Sequence, residues 1–162
     1  MLVIYDMQDQ MSIDMIEDYS ARLMIDRHKL RSSERLKWSI NPFRGFLGLP
    51  SASTDLTELF KTEELKHFGP FYLLLWQGHK IIFINNNNQQ WEFVETLSVD
   101  YVVITEELTL DFDYLLRYLK IGGLVIGSNC SPYYADKIST WAHEINVPVH
   151  NIKEDGYWML DL

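Results

Sequence analysis

Four carboxylates stand where acid–base or metal chemistry would need them. Asp6 follows Leu2-Val3-Ile4-Tyr5, Asp26 follows Leu23-Met24-Ile25, and Glu106-Glu107 come just after Tyr101-Val102-Val103-Ile104. Each apolar run reads as a strand, so the acids fall at strand ends. Oxygen ligands of this kind suit Mg²⁺ or Mn²⁺, and water bound to such an ion can hydrolyse a phosphodiester. Adjacent acids on a loop are more often simply solvated. Cys130, in Gly127-Ser128-Asn129-Cys130-Ser131, sits at a strand-to-helix turn, where a nucleophile can stand. A catalytic thiol needs a base, and the sequence nominates none. The histidines are His28, His67, His79, His143 and His150, and no two are spaced as in H-x-H or H-E-x-x-H. Gly122-Gly123 precedes a strand instead of following one, which excludes a phosphate-cradling loop. No motif assigns a catalytic residue, a metal or a cofactor.

The elements that must position these residues are read from hydrophobic period. Leu2 to Tyr5, the alternating Met11-Ser12-Ile13-Asp14-Met15-Ile16 and Leu23 to Ile25 form a three-strand meander, with Asp18 in a turn. The alternation predicts one wet face on the middle strand. From Arg27 to Ser39, Leu30, Leu36 and Trp38 among basic residues predict a weak helix, ended by Asn41-Pro42. Residues 42 to 54 read as a surface loop. Thr54 or Asp55 then caps a short helix through Phe60, and Thr62 with Glu63-Glu64 starts another.

Phe71 to Trp76 and Ile81 to Ile84, around Gln77-Gly78-His79-Lys80, predict a hairpin buried on both faces. The amide tract Asn85 to Gln90 reads as a loop. Thereafter the pattern is βαβαβ: Tyr101 to Ile104, a helix through Leu110, Leu115 and Leu119, then Leu124 to Ile126. A second helix starts at Ser131-Pro132 and runs through Ile138 and Ile145. Strands at 147–152 and 157–160 flank Asp155-Gly156, and Pro148 fits an edge strand or a strand's first residue. The expected architecture is one α/β domain over residues 1–162, with one or two mixed sheets flanked by helices.

Composition agrees with a folded chain: 47% of the residues are hydrophobic and 14% aromatic, which argues against intrinsic disorder. A single cysteine excludes an internal disulfide and argues against a cysteine-based zinc site. The net charge of −9 opposes tight general binding to nucleic acid, yet the charge is unevenly spread. Seven of the 14 basic residues fall between Arg22 and Arg44 against two acids, while the rest of the chain carries 21 acids against seven bases. Arg27, Lys29, Arg31, Arg35, Lys37 and Arg44 are the candidate binding residues. They form either a solvated helix face paired with the protein's own acids or a surface for headgroups, a polyanion or an acidic neighbour.

The order of segments resembles a specific family. Ile4-Tyr5-Asp6-Met7-Gln8-Asp9-Gln10-Met11-Ser12-Ile13 followed by Leu23-Met24-Ile25-Asp26 looks like the opening of the metallo-β-lactamase-fold domain of ComEC-type competence proteins. The hairpin from Phe71 to Ile84 is similar to that family's central hairpin, and Asp100 to Ile104 to the strand before its paired histidines. Lys120 to Ile126, Ala135 to Ile145, Val147-Pro148-Val149 and Glu154-Asp155-Gly156 resemble its closing segments, in particular those of the Bacteroidetes type. The resemblance covers about two thirds of the chain in scattered blocks. It departs at the ligands. The H-x-H-x-D-H motif is absent, and its segment is shortened to about residues 27 to 70. Asn85-Asn86 replace Gly-Asp, Glu106-Glu107 stand where paired histidines would follow their strand, and Ser131 precedes Pro132 where a last histidine would stand.

The resemblance implies a truncated, degenerate metallo-β-lactamase-like module of a DNA-uptake channel, non-catalytic and kept for structure or interaction. Its partners would be the membrane-embedded remainder of the channel and, through the basic segment, single-stranded DNA or an anionic membrane surface. On that reading Met1 is an artificial or alternative start, with transmembrane helices upstream and the domain in an extracytoplasmic part of a membrane protein. The rival from another class is a residual Mg²⁺- or Mn²⁺-dependent phosphodiesterase or nuclease using Asp6, Asp26, Glu106 and Glu107. A third reading, a free-standing binding protein unrelated to competence, predicts an ordinary apolar pocket and no asymmetry of surface charge.

Overall fold

A computed structural model describes residues 1–7, 11–25, 34–52, 57–58, 63–68, 71–84, 95–107 and 112–161. It is a mixed α/β chain, as the hydrophobic periods lead one to expect, and its strands form two sheets, a number the sequence left open. Two compact units divide it: residues 1–62 with 152–162, and residues 63–151.

The first unit is built on the meander. Strands β1 (Leu2–Asp6), β2 (Met11–Glu17) and β3 (Ser20–Ile25) pair antiparallel in sequence order. Asp18 takes a left-handed backbone (φ 52°) in the β2–β3 turn, a conformation Asp tolerates better than most residues. Beyond β3 lies β4 (Thr57–Glu58), which pairs with it in parallel. The other edge is β11 (Trp158–Leu160), antiparallel to β1. The last strand therefore joins the first sheet, while β10 (Val149–Asn151) stays in the second, and the four-residue helix α5 (Ile152–Asp155) makes the transfer.

Two short helices, α1 (Glu34–Ser39) and α2 (Asn41–Phe46), cover one face of this sheet. Leu36 of α1 and Ile40, the N-cap of α2, pack with Val3, Tyr5, Leu23 and Ile25. Three expectations are corrected here. Asn41-Pro42 does not end helical structure: Pro42 occupies the first turn of α2, where its missing N–H costs nothing. Residues 57–58 and 65–68 are strands instead of parts of short helices. The middle strand has no wet face: Ser12 and Asp14 are fully buried beside Tyr5, because α1 and α2 lie over the side the alternation assigned to water.

The second unit holds a six-stranded sheet in the order β10-β9-β8-β7-β6-β5. The edge strand β5 (Leu65–Phe68) is antiparallel to β6 (Phe71–Trp76), and β6 forms the expected hairpin with β7 (His79–Ile84). Gln77 (φ 45°) and Gly78 (φ 90°) are the two central residues of that turn, and positive φ at both matches the twist of a two-residue hairpin. β7, β8 (Leu97–Ile104), β9 (Leu119–Ile126) and β10 run parallel, linked in part by α3 (Phe112–Tyr118) and α4 (Pro132–Glu144).

Register aligns Ile82 with Val102 and Leu124, and Ile84 with Ile104 and Ile126. These two rows form the floor on which Leu115 of α3 and Ile138 of α4 pack. Ile81, Phe83, Val103 and Val125 are also buried on the alternate face, so these strands carry apolar residues on both sides, as parallel strands do. β6 keeps this only in part, since Leu75 is exposed. Among the described residues no helix is long and apolar enough to cross a membrane.

Candidate functional site

The first unit places a charged network where the sequence suggested a solvated surface. Asp14 projects from the middle of β2 and Arg44 from α2, and both are buried. Arg44 donates from Nε to Asp14 Oδ2 at 2.7 Å and from Nη2 to Oδ1 at 2.6 Å, a two-pronged pair. The Tyr5 hydroxyl donates to Oδ2 at 3.3 Å, and Arg44 Nη1 donates to the Pro50 carbonyl at 3.3 Å. Burial, followed by the Asp14 charge, raises the Tyr5 pKa far above its ordinary value, so the phenol stays protonated. Asn41 Oδ1 accepts from the Ala52 N–H at 2.8 Å, tying the returning chain to the start of α2.

This network takes Arg44 out of the proposed basic surface. Arg44, only 4% exposed, is spent on Asp14 and contributes nothing to the exterior. Of the other candidates, Lys37 is exposed on α1. Arg35 lies in the same helix, and Arg27, Lys29 and Arg31 fall outside the described residues, as does Asp26. Beside the exposed Glu34 and Lys37, α1 and α2 expose two aromatic side chains, Trp38 at 79% and Phe46 at 86%. Period explains Trp38. It stands two residues from buried Leu36, about 200° around the helix, and so cannot share its face.

The second unit brings loop residues together at the carboxyl ends of its parallel strands, where α/β sheets commonly bind ligands. Thr105 extends β8 by donating from its backbone N–H and its hydroxyl to the Ile84 carbonyl, at 3.1 and 3.0 Å. The Gly127 N–H donates to the Ile104 carbonyl at 2.8 Å. Gly127 has no substitute here, since a Cβ would lie 2.8 Å from the Ile104 carbonyl oxygen. The chain then turns through Cys130 into α4, whose N-cap is Ser131. Its hydroxyl accepts from the Tyr134 N–H at 3.3 Å, and Glu107 Oε1 accepts from the Ser131 N–H at 2.9 Å.

Glu107 thus sets a negative charge at the positive end of a 13-residue helix and satisfies one of its free donors. Cys130 is a buried free thiol. Glu106 is half-buried in the second unit, and Asp6 is half-buried in the first. Asn85 and Asn86 lie outside the described residues. Among the described residues no three or more of His, Cys, Asp and Glu are grouped so as to hold a metal ion. His67 lies against Tyr72 with ring centroids 4.8 Å apart, and His143 is exposed in the last turn of α4.

Comparison with known proteins gives one family: the model described as the ComEC C-terminal domain matches residues 2–162. No curated protein and no solved structure matches the chain.

Proposed function

Because the chain belongs to the ComEC C-terminal domain family, we propose that it acts as a non-catalytic interaction module of a ComEC-like competence protein, its metal ligands lost from a metallo-β-lactamase-like fold. The observation that carries this reading is the bond from the Ser131 N–H to Glu107 Oε1. The resemblance assigns histidine ligands to both positions. In this chain one of them caps α4 and the other completes that cap, a use that stabilises a helix end and competes with metal coordination. A module of this kind works through its surface. Its partners are the membrane-embedded remainder of the channel and an anionic ligand, single-stranded DNA or membrane, met by the basic segment that includes Arg31, Arg35 and Lys37.

A second reading has its own support. Glu106 and Glu107 follow the carboxyl end of β8, a parallel strand of the second unit, where oxygen ligands for Mg²⁺ or Mn²⁺ would serve a metal-dependent phosphodiesterase. The separating experiment incubates end-labelled single- and double-stranded oligonucleotides with the protein and Mn²⁺. The interaction module leaves them intact beyond the chelator control. Cleavage that disappears in Glu106→Ala would replace it with the phosphodiesterase.

A further inference from the structure

The outer strands of the two sheets guard their edges differently. An unpaired edge is a template for another chain, and proteins commonly blunt it with lysine or proline. In the second unit β5 carries the exposed Lys66, and β10 is entered through Pro148. In the first unit β11 is an edge without such a guard. Its run Tyr157-Trp158-Met159-Leu160 contains neither charge nor proline, and Tyr157 and Met159 are 47% and 41% exposed.

The phase of the hydrogen bonds shows what β11 turns outward. The Met1 amino group donates to the Ile16 carbonyl and the Ile16 N–H to the Met1 carbonyl, both at 2.9 Å, so the Met1 main chain faces β2. Main-chain direction alternates along an antiparallel strand, so Val3 faces β2 as well, while Leu2 and Ile4 face β11. Their partners there are Leu160 and Trp158. Met159 lies between these two and therefore presents its N–H and C=O away from β1. On the same side of the sheet as Val3, which stands opposite Met159, an apolar ledge borders this edge. It includes Tyr157, whose ring centroid lies 4.9 Å from that of Phe43 and 6.3 Å from that of Tyr5.

An outward donor and acceptor beside an apolar ledge are the means by which a sheet takes an extended peptide. Main-chain bonds hold the peptide, and its alternate side chains select it. Charge narrows the choice. Glu154 and Asp155 precede the apolar run and Asp161 follows it, all three exposed, with Lys153 as the one base beside them. Asp6 ends the neighbouring strand β1. Pairing with a second copy about Met159 would bring each Asp161 towards the other copy's Glu154-Asp155, acid against acid. A strand with basic ends meets those acids instead. We propose that β11 accepts, as an added edge strand, an extended polypeptide segment that is apolar at alternate positions and basic at both ends. This deepens the interaction-module reading and rests on it.

The test follows the fluorescence anisotropy of a labelled peptide of alternating valine and threonine, with lysine at each end, on addition of the full chain. Saturable binding is expected, at least about tenfold weaker for the same peptide ended in glutamate and lost when the peptide's amide nitrogens are methylated. Met159→Pro removes an outward N–H that pairing with β1 does not use, so it should abolish binding with little change in the thermal melt. If that variant melts early, the Met159 amide of the unaltered chain gives the readout: its exchange with solvent should slow when peptide is added. No saturable binding, equal binding of the methylated or glutamate-ended peptide, or an unprotected Met159 amide overturns the proposal. So does self-association that Met159→Pro abolishes in the absence of peptide binding, which would assign the edge to a second copy. Failure here with oligonucleotides still intact in the Mn²⁺ assay leaves the interaction module standing without this partner, whereas cleavage would remove the module itself.

Discussion

The two units bury polarity in opposite ways. In the second, the helix-covered face of the sheet is apolar, from Ile82 and Ile84 through Val102 and Ile104 to Leu124 and Ile126. Among the described residues its buried polar residues, Thr105, Ser128 and Asn151, lie at or just beyond strand ends, where Thr105 extends the hydrogen-bond ladder. The first unit sets a carboxylate in the middle of its central strand and closes over it with a helix carrying the matching guanidinium. One unit is held by apolar rows in register. The other depends on an ion pair that gives it a specific helix position. Two six-residue helices bury little apolar surface, so a directional contact to Asp14 fixes α2 where packing alone would leave it loosely placed.

The largest effect that would break this contrast is expected from Arg44→Ala. It leaves Asp14 buried without its partner, and urea denaturation should show a loss of about 3–5 kcal/mol. Replacing both partners together, Asp14→Leu with Arg44→Met, should recover most of that, because the penalty belongs to the orphaned charge. If the single and double variants lose the same stability, the pair is not what holds α2. The same network has an alkaline limit. The Tyr5 pKa is raised by burial, so the folded chain keeps the phenol proton after the unfolded chain, with its ordinary value of about 10, begins to release it. The contribution is therefore complete below about pH 10 and lost as pH rises beyond it, and Tyr5→Phe should flatten that decline in a series of melts.

Smaller changes sharpen the comparison from the other side. Gly127→Ala forces a Cβ against the Ile104 carbonyl, and a cost of about 1–3 kcal/mol is expected in the second unit. Ser131→Ala removes the cap of α4 and should cost about 1 kcal/mol by the same denaturation measurement. The smallest change in stability is expected for Trp38→Ala, within about 0.5 kcal/mol, since that side chain supports nothing in the fold.

The same contrast explains what could be read from the residues. The hairpin, the βαβαβ order and the Ser131-Pro132 helix start were legible because hydrophobic period, turn chemistry and capping agree with one another there. In the first unit the local signals mislead. Alternation along Met11 to Ile16 marks Ser12 and Asp14 as polar, and only the distant Arg44 reveals that they are covered. Asn41-Pro42 carries the signature of a helix end and equally that of a new helix start, and α2 is the latter. Glu107 was visible as an acid beyond a strand, but its bond to a residue 24 positions away was not. Trp38 was grouped with Leu36 as apolar, although a spacing of two puts them on opposite sides of a helix.

The central claim is that this domain works through its surface and not through a metal centre. Calorimetric titration of chelator-treated protein with Mn²⁺, and then with Zn²⁺, tests it most directly. The account predicts no saturable heat up to millimolar metal. Micromolar binding that disappears in Glu106→Ala or Asp26→Ala would contradict it.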